Sequence, residues 1–296
     1  MAPSPYWAEE LAGMAYLLNA TQEIVAELRQ HCHHITGDKA YTYRAHHRWE
    51  SARYREALTR YMRSSDGAEK YFVPEATALG GYGHDIDGRL VNGDTLKYYH
   101  AILAMKEAGL LPEPGMSMRP VVEIGAGWGG MAYQMRSLFH PFRVLGKPSY
   151  TIIDLPEMLL LSMTYLQTLL PDEDFFYMPH YGASKATYPT GALFINMASF
   201  QEMTEAQVRG YLELVRDAKG TLYSYNREKN SNNPALPALT SLIGEYLDVR
   251  VLPHPAGIIL RGNTGETTHR HLLAEPRNPQ LLFHIERSET QGIKHG

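Results

Sequence analysis

Apolar residues recur along the first hundred positions at the three- and four-residue spacing that is typical of helices. A first helix is predicted to begin at Ser4 and Pro5, which supply an N-cap and a first-turn proline, and to run through residues 7–31. A second helix is predicted over residues 49–62. The beginning of the chain is therefore expected to be mainly helical.

The helical period stops between residues 64 and 93, where glycines cluster at positions 80–83. This stretch predicts a long ordered loop or lid, a place where function is often found. Asp94 is then expected to cap a third helix, which Gly109 would end in a left-handed conformation.

Apolar runs alternate with helical segments beyond residue 116, as is typical of a parallel α/β sheet. The predicted strands cover residues 119–126, 149–155, 175–178, 192–197, 220–226, 248–253 and 281–287. The predicted helices cover residues 129–139, 156–170, 204–218 and 236–247. We therefore expect a helical N-terminal cap over residues 1–115 and a Rossmann-like, doubly wound α/β domain over residues 116–296.

Composition narrows the class of protein. The 296 residues are 44% hydrophobic, enough for a substantial core, and a formal net charge of −4 argues against nucleic acid as a partner. Cys32 is the only cysteine, which excludes an intramolecular disulfide. The start lacks a signal-peptide pattern, and the apolar stretch Met158–Leu170 is too short to span a bilayer. A cytoplasmic protein is expected.

The sequence VVEIGAGWGG at positions 121–130 has the spacing of a nucleotide-binding loop. Gly125, Gly127 and Gly130 fit the GxGxxG pattern of dinucleotide enzymes, in which a later carboxylate binds the ribose. Asp154 has the right position for that carboxylate, but any adenosine ligand offers the same hydroxyls. Glu123 discriminates, because a carboxylate inside an apolar strand would repel a pyrophosphate and attract an ammonium group.

This glycine loop resembles that of class I S-adenosylmethionine-dependent methyltransferases. More narrowly, the sequence is similar to the putative sugar O-methyltransferases in the stretches 92–99, 152–157 and 195–203. The resemblance spans about residue 80 to the C-terminus. Trp128 departs from the tyrosine that this family leads one to expect.

The resemblance implies S-adenosylmethionine as cofactor and contacts to it at the ends of the first four strands. These are Gly125, Gly127 and Gly129 against the methionine part, Glu123 near its amine, Asp154 on the ribose, Leu155, Met178 and Pro179 around the adenine, and Asn196 and Ser199 near the methyl group. The plainer alternatives are a structural carboxylate at Glu123 and an N-cap at Asp154.

Methyl transfer to a sugar hydroxyl needs a base, because the hydroxyl is a poor nucleophile. Glu202, Tyr225 and His254 follow predicted strands and are candidates for catalysis, with Gln201 as a substrate contact. Glu202 could instead cap the next helix, and His254 could be a solvated loop residue.

The twenty tyrosines suggest an acceptor site in the cap, where Tyr98 and Tyr99 are the candidate contacts. A tyrosine-rich site suits a sugar and also an aromatic ring methylated on carbon or nitrogen, such as an indole. More distant alternatives are an NAD-dependent oxidoreductase and a module that binds S-adenosylmethionine without catalysis. The expected partner is a small molecule, and the oligomeric state is left open.

Histidines at positions 31, 33 and 34, and again at 46 and 47, raise the question of a metal site. Only His31 and His34 share a helix face, and no second ligand pair follows at a familiar spacing. The sequence therefore predicts no metal.

Overall fold

A computed structural model describes residues 3–43, 48–141, 149–230, 233–257 and 269–277. Eleven strands lie in these ranges: β1 His84–Ile86, β2 Arg89–Val91, β3 Ser117–Met118, β4 Val121–Ile124, β5 His140–Pro141, β6 Tyr150–Asp154, β7 Phe176–Pro179, β8 Leu193–Met197, β9 Thr221–Arg227, β10 Asp248–Leu252 and β11 His269–Glu275. Seven of these strands form the main sheet, in the order β10-β11-β9-β8-β4-β6-β7.

The α-helices of the described ranges are α1 Pro5–Met14, α2 Gln22–Ala26, α3 Leu28–His31, α4 His33–Thr36, α5 Arg48–Met62, α6 Gly93–Glu107, α7 Gly130–Leu138, α8 Pro156–Leu169, α9 Glu205–Asp217 and α10 Leu239–Gly244. Helices α6, α7 and α8 share one apolar core with one face of the sheet, and α9 and α10 share a second core with the other face. Alternate β4 residues enter different cores, with Val121 in the first and Val122 in the second. The fold is therefore a Rossmann-like, doubly wound sheet.

The chain changes direction across the sheet at β4, which pairs in parallel with both β6 and β8. Ligands of doubly wound sheets bind at such a switch point, beyond the carboxyl ends of the strands. At the other end of the sheet, β11 lies antiparallel between β9 and β10. This inserted antiparallel strand differs from the 3-2-1-4-5-6 order that is usual in dinucleotide-binding sheets.

The structure corrects several predictions for the first hundred residues. The single long helix is divided, because the Thr21 side chain accepts a hydrogen bond from the Ile24 amide and begins α2 separately. The predicted loop contains the β1–β2 hairpin, whose Asp87-Gly88 turn has positive φ at both residues. Asp-Gly is a strong hairpin signal that the pattern of apolar residues had obscured.

The N-cap of the third helix is Asn92, two residues before the predicted Asp94. Asn92 and Thr95 form a reciprocal capping box. Gly109 ends the helix region with φ of 72°, as predicted.

The C-terminal part of the sheet also differs from the prediction. Strand β11 lies within a stretch that the sequence had assigned to a connection, because only Leu272, Leu273 and Ala274 give it an apolar signal. The strand predicted over residues 281–287 lies outside the described residues. No helix in the described part of the chain is long and apolar enough to cross a membrane.

A buried cluster of charges joins distant segments of the N-terminal cap, and its arginine also contacts the glycine loop. The Arg29 guanidinium on α3 pairs with Glu75 at 2.7 Å and with Asp94 on α6 at 2.6 Å. It also stacks over the Trp128 ring, 3.9 Å from the ring centroid. All three charged side chains are at most 3% exposed. Arg29 compensates both carboxylates, and Lys97 also pairs with Asp94, at 2.9 Å.

We predict that Arg29→Ala lowers the free energy of unfolding by roughly 3–5 kcal/mol, because Glu75 would stay buried without a counter-charge and Asp94 would keep only Lys97. Urea unfolding monitored by circular dichroism measures the change. Arg55→Ala is the control, since Arg55 and its partner Asp87 are exposed, and it should change stability little. Equal effects of the two substitutions would contradict a structural role for the cluster.

Candidate cofactor and active site

The glycine loop leaves β4 through a series of left-handed residues. Gly125, Gly127 and Gly129 have φ values of 73°, 58° and 91°, a region that residues with a side chain rarely adopt. A Cβ atom at Gly125 would also lie only 2.1 Å from Ser199 Oγ. Glycine is therefore required at this position for two reasons, conformation and close packing against the end of β8.

Asp154, at the end of β6, holds this loop in place. Its two carboxylate oxygens accept hydrogen bonds from the amides of Gly127 at 2.8 Å and Leu155 at 2.7 Å. Burial raises the pKa of Asp154 to about 7, although these amide bonds act in the opposite direction. The carboxylate connects the glycine loop to the start of α8, and each oxygen retains a lone pair for a further donor.

Glu123 is a buried carboxylate in the middle of β4. It is 3% exposed and accepts a hydrogen bond from Tyr150 Oη at 2.7 Å. Burial raises its pKa to about 8, and the neighbouring Asp154 charge adds to the increase. Among the described residues no cation pairs with Glu123, which makes it a group that a bound cation would stabilise.

These groups line one cavity. Its floor includes Glu123, Gly125, Gly127, Asp154, Leu155 and Ser199, all at or near the carboxyl ends of parallel strands. Trp7, Ile35 and Tyr98, from the N-terminal helices, cover it. The cleft measures about 940 Å³ with the open solvent at its mouth included, and apolar side chains line it together with a few polar groups, as is typical of small-molecule sites.

Glu202 enters the same cavity from the short helical turn Phe200–Glu202 after β8. Trp7 Nε1 donates a hydrogen bond to its Oε2 across 3.2 Å, which links α1 to the sheet. Burial raises the pKa of Glu202 to about 7, against the lowering effect of hydrogen bonds from Gln201 and Trp7. The carboxyl group can therefore change its protonation state near neutral pH. The N-cap of α9 is Thr204, so Glu202 is not that cap.

Several predicted contacts lie beside the cavity instead of lining it. Asn196 is fully buried and donates to the Ile124 carbonyl and to Ser199 Oγ, both at 2.8 Å, so it supports the loop from below. Gly129 packs against α8. Met178 and Pro179 lie in β7 beside Asp154, and the following His180 is the residue of this segment that lines the cavity.

The candidate substrate-binding and catalytic residues also divide into those that line the cavity and those that do not. Tyr98 lines the cavity, whereas the Tyr99 hydroxyl donates to the Ala68 carbonyl on the opposite side of α6. Gln201 accepts a hydrogen bond from the Arg227 amide at 2.8 Å and anchors a loop. Tyr225 and His254 pack with other histidines behind the cavity wall. This geometry gives Tyr99, Gln201, Tyr225 and His254 no direct access to the cavity.

The N-terminal histidines His31 and His34 contact different neighbours. His31 Nδ1 bonds to Tyr16 Oη at 2.8 Å, and His34 Nδ1 lies 4.0 Å from Glu10. Cys32 between them is buried, and burial raises the pKa of its thiol to about 12. His46 and His47 lie outside the described residues.

Trp7 and Ile35, which cover the cavity together with the predicted Tyr98, were not identified from the sequence. Trp7 contacts a partner 195 positions away, and nothing in its local pattern distinguishes it from a core residue of α1. Ala198 also lines the cavity and has φ of 53°. Such strain in a residue other than glycine is common at functional sites, yet it leaves no trace in the sequence.

No protein-family profile and no curated protein matches the chain in sequence. Solved structures with a similar fold include the pyocyanin biosynthetic protein PhzM, at 16% identity and a TM-score of 0.38 over 59% of this chain and 57% of that one. Another is the N-methyltransferase NodS from Bradyrhizobium japonicum WM9 with S-adenosyl-L-homocysteine, at 10% identity and a TM-score of 0.43 over 63% and 89%. A third is LepI with S-adenosylmethionine, at 14% identity and a TM-score of 0.36 over 59% and 46%.

The chain thus spans little more than half of PhzM and less than half of LepI. At TM-scores below 0.5 these likenesses assign no function, which has to come from the residues of the site.

We predict that Glu123→Gln stabilises the ligand-free protein at pH 8 and has little effect at pH 4.5. The folded pKa of about 8 lies above the ordinary value of 4.5, so the wild type loses stability as pH rises through that window. The loss relative to the variant should approach 1.4 kcal/mol per pH unit, and the Gln side chain can still accept the Tyr150 hydrogen bond.

Thermal melts at several pH values, after dialysis to remove small molecules, measure this difference. Glu213→Gln is the control, because Glu213 is exposed on α9 and should follow the wild type. A constant offset between Glu123→Gln and wild type at every pH would contradict the assignment.

Proposed function

We propose that this protein is an S-adenosylmethionine-dependent methyltransferase that transfers the methyl group to a hydroxyl of a small molecule. The observation that carries the proposal is the arrangement of Glu123, Asp154 and Glu202 around one covered cavity at the switch point of the sheet. Three carboxyl groups with raised pKa values favour a cationic ligand over a pyrophosphate.

The cofactor fits the two carboxylates nearest the glycine loop. The ammonium of a methionine moiety near Glu123 would replace the missing counter-charge, and the free lone pairs of Asp154 suit two ribose hydroxyls. The open backbone at Gly125 and Gly127 allows the ligand to approach without a side chain between them. Leu155 and His180 then lie on the side where the adenine is expected.

Glu202 is the proposed general base. As the acceptor oxygen forms its bond to the methyl carbon, the carbon–sulfur bond breaks and the hydroxyl proton passes to the Glu202 carboxylate. A carboxyl group with a pKa of about 7 is well matched to this transfer at neutral pH. Trp7 and Tyr98 cover the cavity and would exclude water and orient the acceptor.

The sugar hydroxyl is the acceptor that we favour within this class, and a phenolic hydroxyl is the related case. Methylation of an aromatic carbon or nitrogen also releases a proton, so it stays the alternative that a panel of acceptors tests. The antiparallel β11 and the buried Glu123 both argue against an NAD-dependent oxidoreductase. A binding module without catalysis has no use for a half-buried carboxyl group with a raised pKa at Glu202.

We predict that S-adenosylhomocysteine binds the wild-type protein, that NADH does not, and that Asp154→Asn weakens S-adenosylhomocysteine binding about 5- to 150-fold, equivalent to 1–3 kcal/mol. Affinity should rise between pH 6 and 8 with release of a proton, because the ligand ammonium stabilises ionised Glu123. Calorimetry in buffers of different ionisation enthalpy measures both quantities. Asp217→Asn, at the exposed end of α9, is the control. A pH-independent affinity would remove Glu123 from the site.

We predict that Glu202→Gln lowers the turnover of O-methylation about 100- to 10,000-fold and leaves cofactor affinity nearly unchanged. Turnover is measured by S-adenosylhomocysteine release with a panel of sugars, phenols and indoles. Glu205→Gln is the matched control, because Glu205 pairs with Arg209 on α9 and does not line the cavity. Methylation of indoles alone, or equal turnover of the two variants, would contradict the proposed acceptor and base.

A further inference from the structure

Three histidine side chains from distant parts of the chain meet behind the cavity wall. His100 comes from α6, His254 from the turn after β10, and His271 from β11. His271 Nε2 lies 2.7 Å from His100 Nε2, and His254 Nδ1 lies 3.4 Å from the same atom. One ring nitrogen of each residue lies within 4.8 Å of the other two.

Hydrogen bonds among the three rings satisfy only some of their ring nitrogens. His254 and His271 both direct a nitrogen at His100 Nε2, and one neutral nitrogen offers either a proton or a lone pair. His100 Nδ1 is buried and has no hydrogen-bond partner among the described residues. A cation placed between the rings would accept a lone pair from all three.

The geometry is close to that of a transition-metal site. A tetrahedral zinc ion with Zn–N bonds of about 2.0–2.1 Å has its ligand nitrogens about 3.3 Å apart. The distance of 3.4 Å between His254 Nδ1 and His100 Nε2 is close to this value. Small ring rotations would lengthen the 2.7 Å distance between His271 Nε2 and His100 Nε2. His100 is fully buried, and burial favours the neutral imidazole that a metal ligand must be.

The surroundings orient the rings. His271 Nδ1 lies 2.6 Å from Tyr223 Oη, and donation of the Nδ1 proton there leaves the Nε2 lone pair directed into the cluster. Tyr225 stacks on the His271 ring at a centroid distance of 4.4 Å. Arg60 donates to the Ala256 carbonyl and so restrains the turn that carries His254.

We propose that His100, His254 and His271 bind one divalent transition-metal ion of the zinc type, which fixes the cap helix α6 to β11. Three imidazole nitrogens suit zinc, copper or nickel, whereas magnesium and calcium need oxygen ligands. Water would complete the coordination, since His254 is only half-buried. The proposal is independent of the methyltransferase assignment, because its test measures metal binding.

The experiment titrates ZnCl₂ into EDTA-treated, dialysed full-length protein by calorimetry. One ion per chain should bind, and His254→Gln should reduce the affinity at least about 100-fold. His269→Gln is the matched control: His269 lies on the same strand and stacks on Tyr225, but it is not in the cluster, so its affinity should stay within about threefold of wild type. His34→Gln reports any contribution from the N-terminal histidines.

Melts in EDTA establish that each variant folds, and zinc should raise the melting temperature of the wild type and not that of His254→Gln. The visible spectrum of the Co²⁺-loaded wild type gives a second test that needs no variant. Intense absorption from four-coordinate cobalt supports the site. No binding, equal affinity of wild type and His254→Gln, an equal loss in His269→Gln, or a weak octahedral cobalt spectrum would each overturn the proposal.

Discussion

The burial of Arg29 is the constraint on which the arrangement of the helical cap depends. A guanidinium removed from water has to keep its counter-charges, so Glu75 and Asp94 cannot move away from it independently. Asp94 lies in the first turn of α6, and this helix carries Tyr98 to the cavity and His100 to the histidine cluster. The same guanidinium packs on Trp128 in the glycine loop. One buried charge therefore fixes the position of the helical cap relative to the glycine loop.

The cavity below the cap is lined by carboxyl groups whose negative charge the fold does not fully compensate. Glu123, Asp154 and Glu202 all have raised pKa values, mainly because they are buried. Each therefore reduces the stability of the folded state at neutral pH. Proteins retain such groups where a ligand or a reaction requires them, and their convergence on one cavity is a stronger functional indication than any one of them alone.

Features with a local cause could be predicted from the sequence. The glycine loop, Asp154 at a strand end and the alternation of main-sheet strands and helices from β4 to β9 all follow from short patterns of residue type. The contact between Trp7 and Glu202 joins residues 195 positions apart, and the three clustered histidines come from segments with no common motif. Strand β11 escaped prediction because pairing on both sides stabilises it despite two polar histidines. These features depend on tertiary contacts, which a single sequence does not display.

The position of β11 in the sheet constrains the order in which the chain can be assembled. Strand β10 is made before β11, yet it joins the sheet only through β11, which lies between it and β9. Until residue 275 has left the ribosome, β9 is an open edge and β10 has no neighbour in the sheet. Exposed strand edges invite pairing with other chains. The newly made protein therefore passes through a stage in which the edge of β9 stays open until β11 pairs with it.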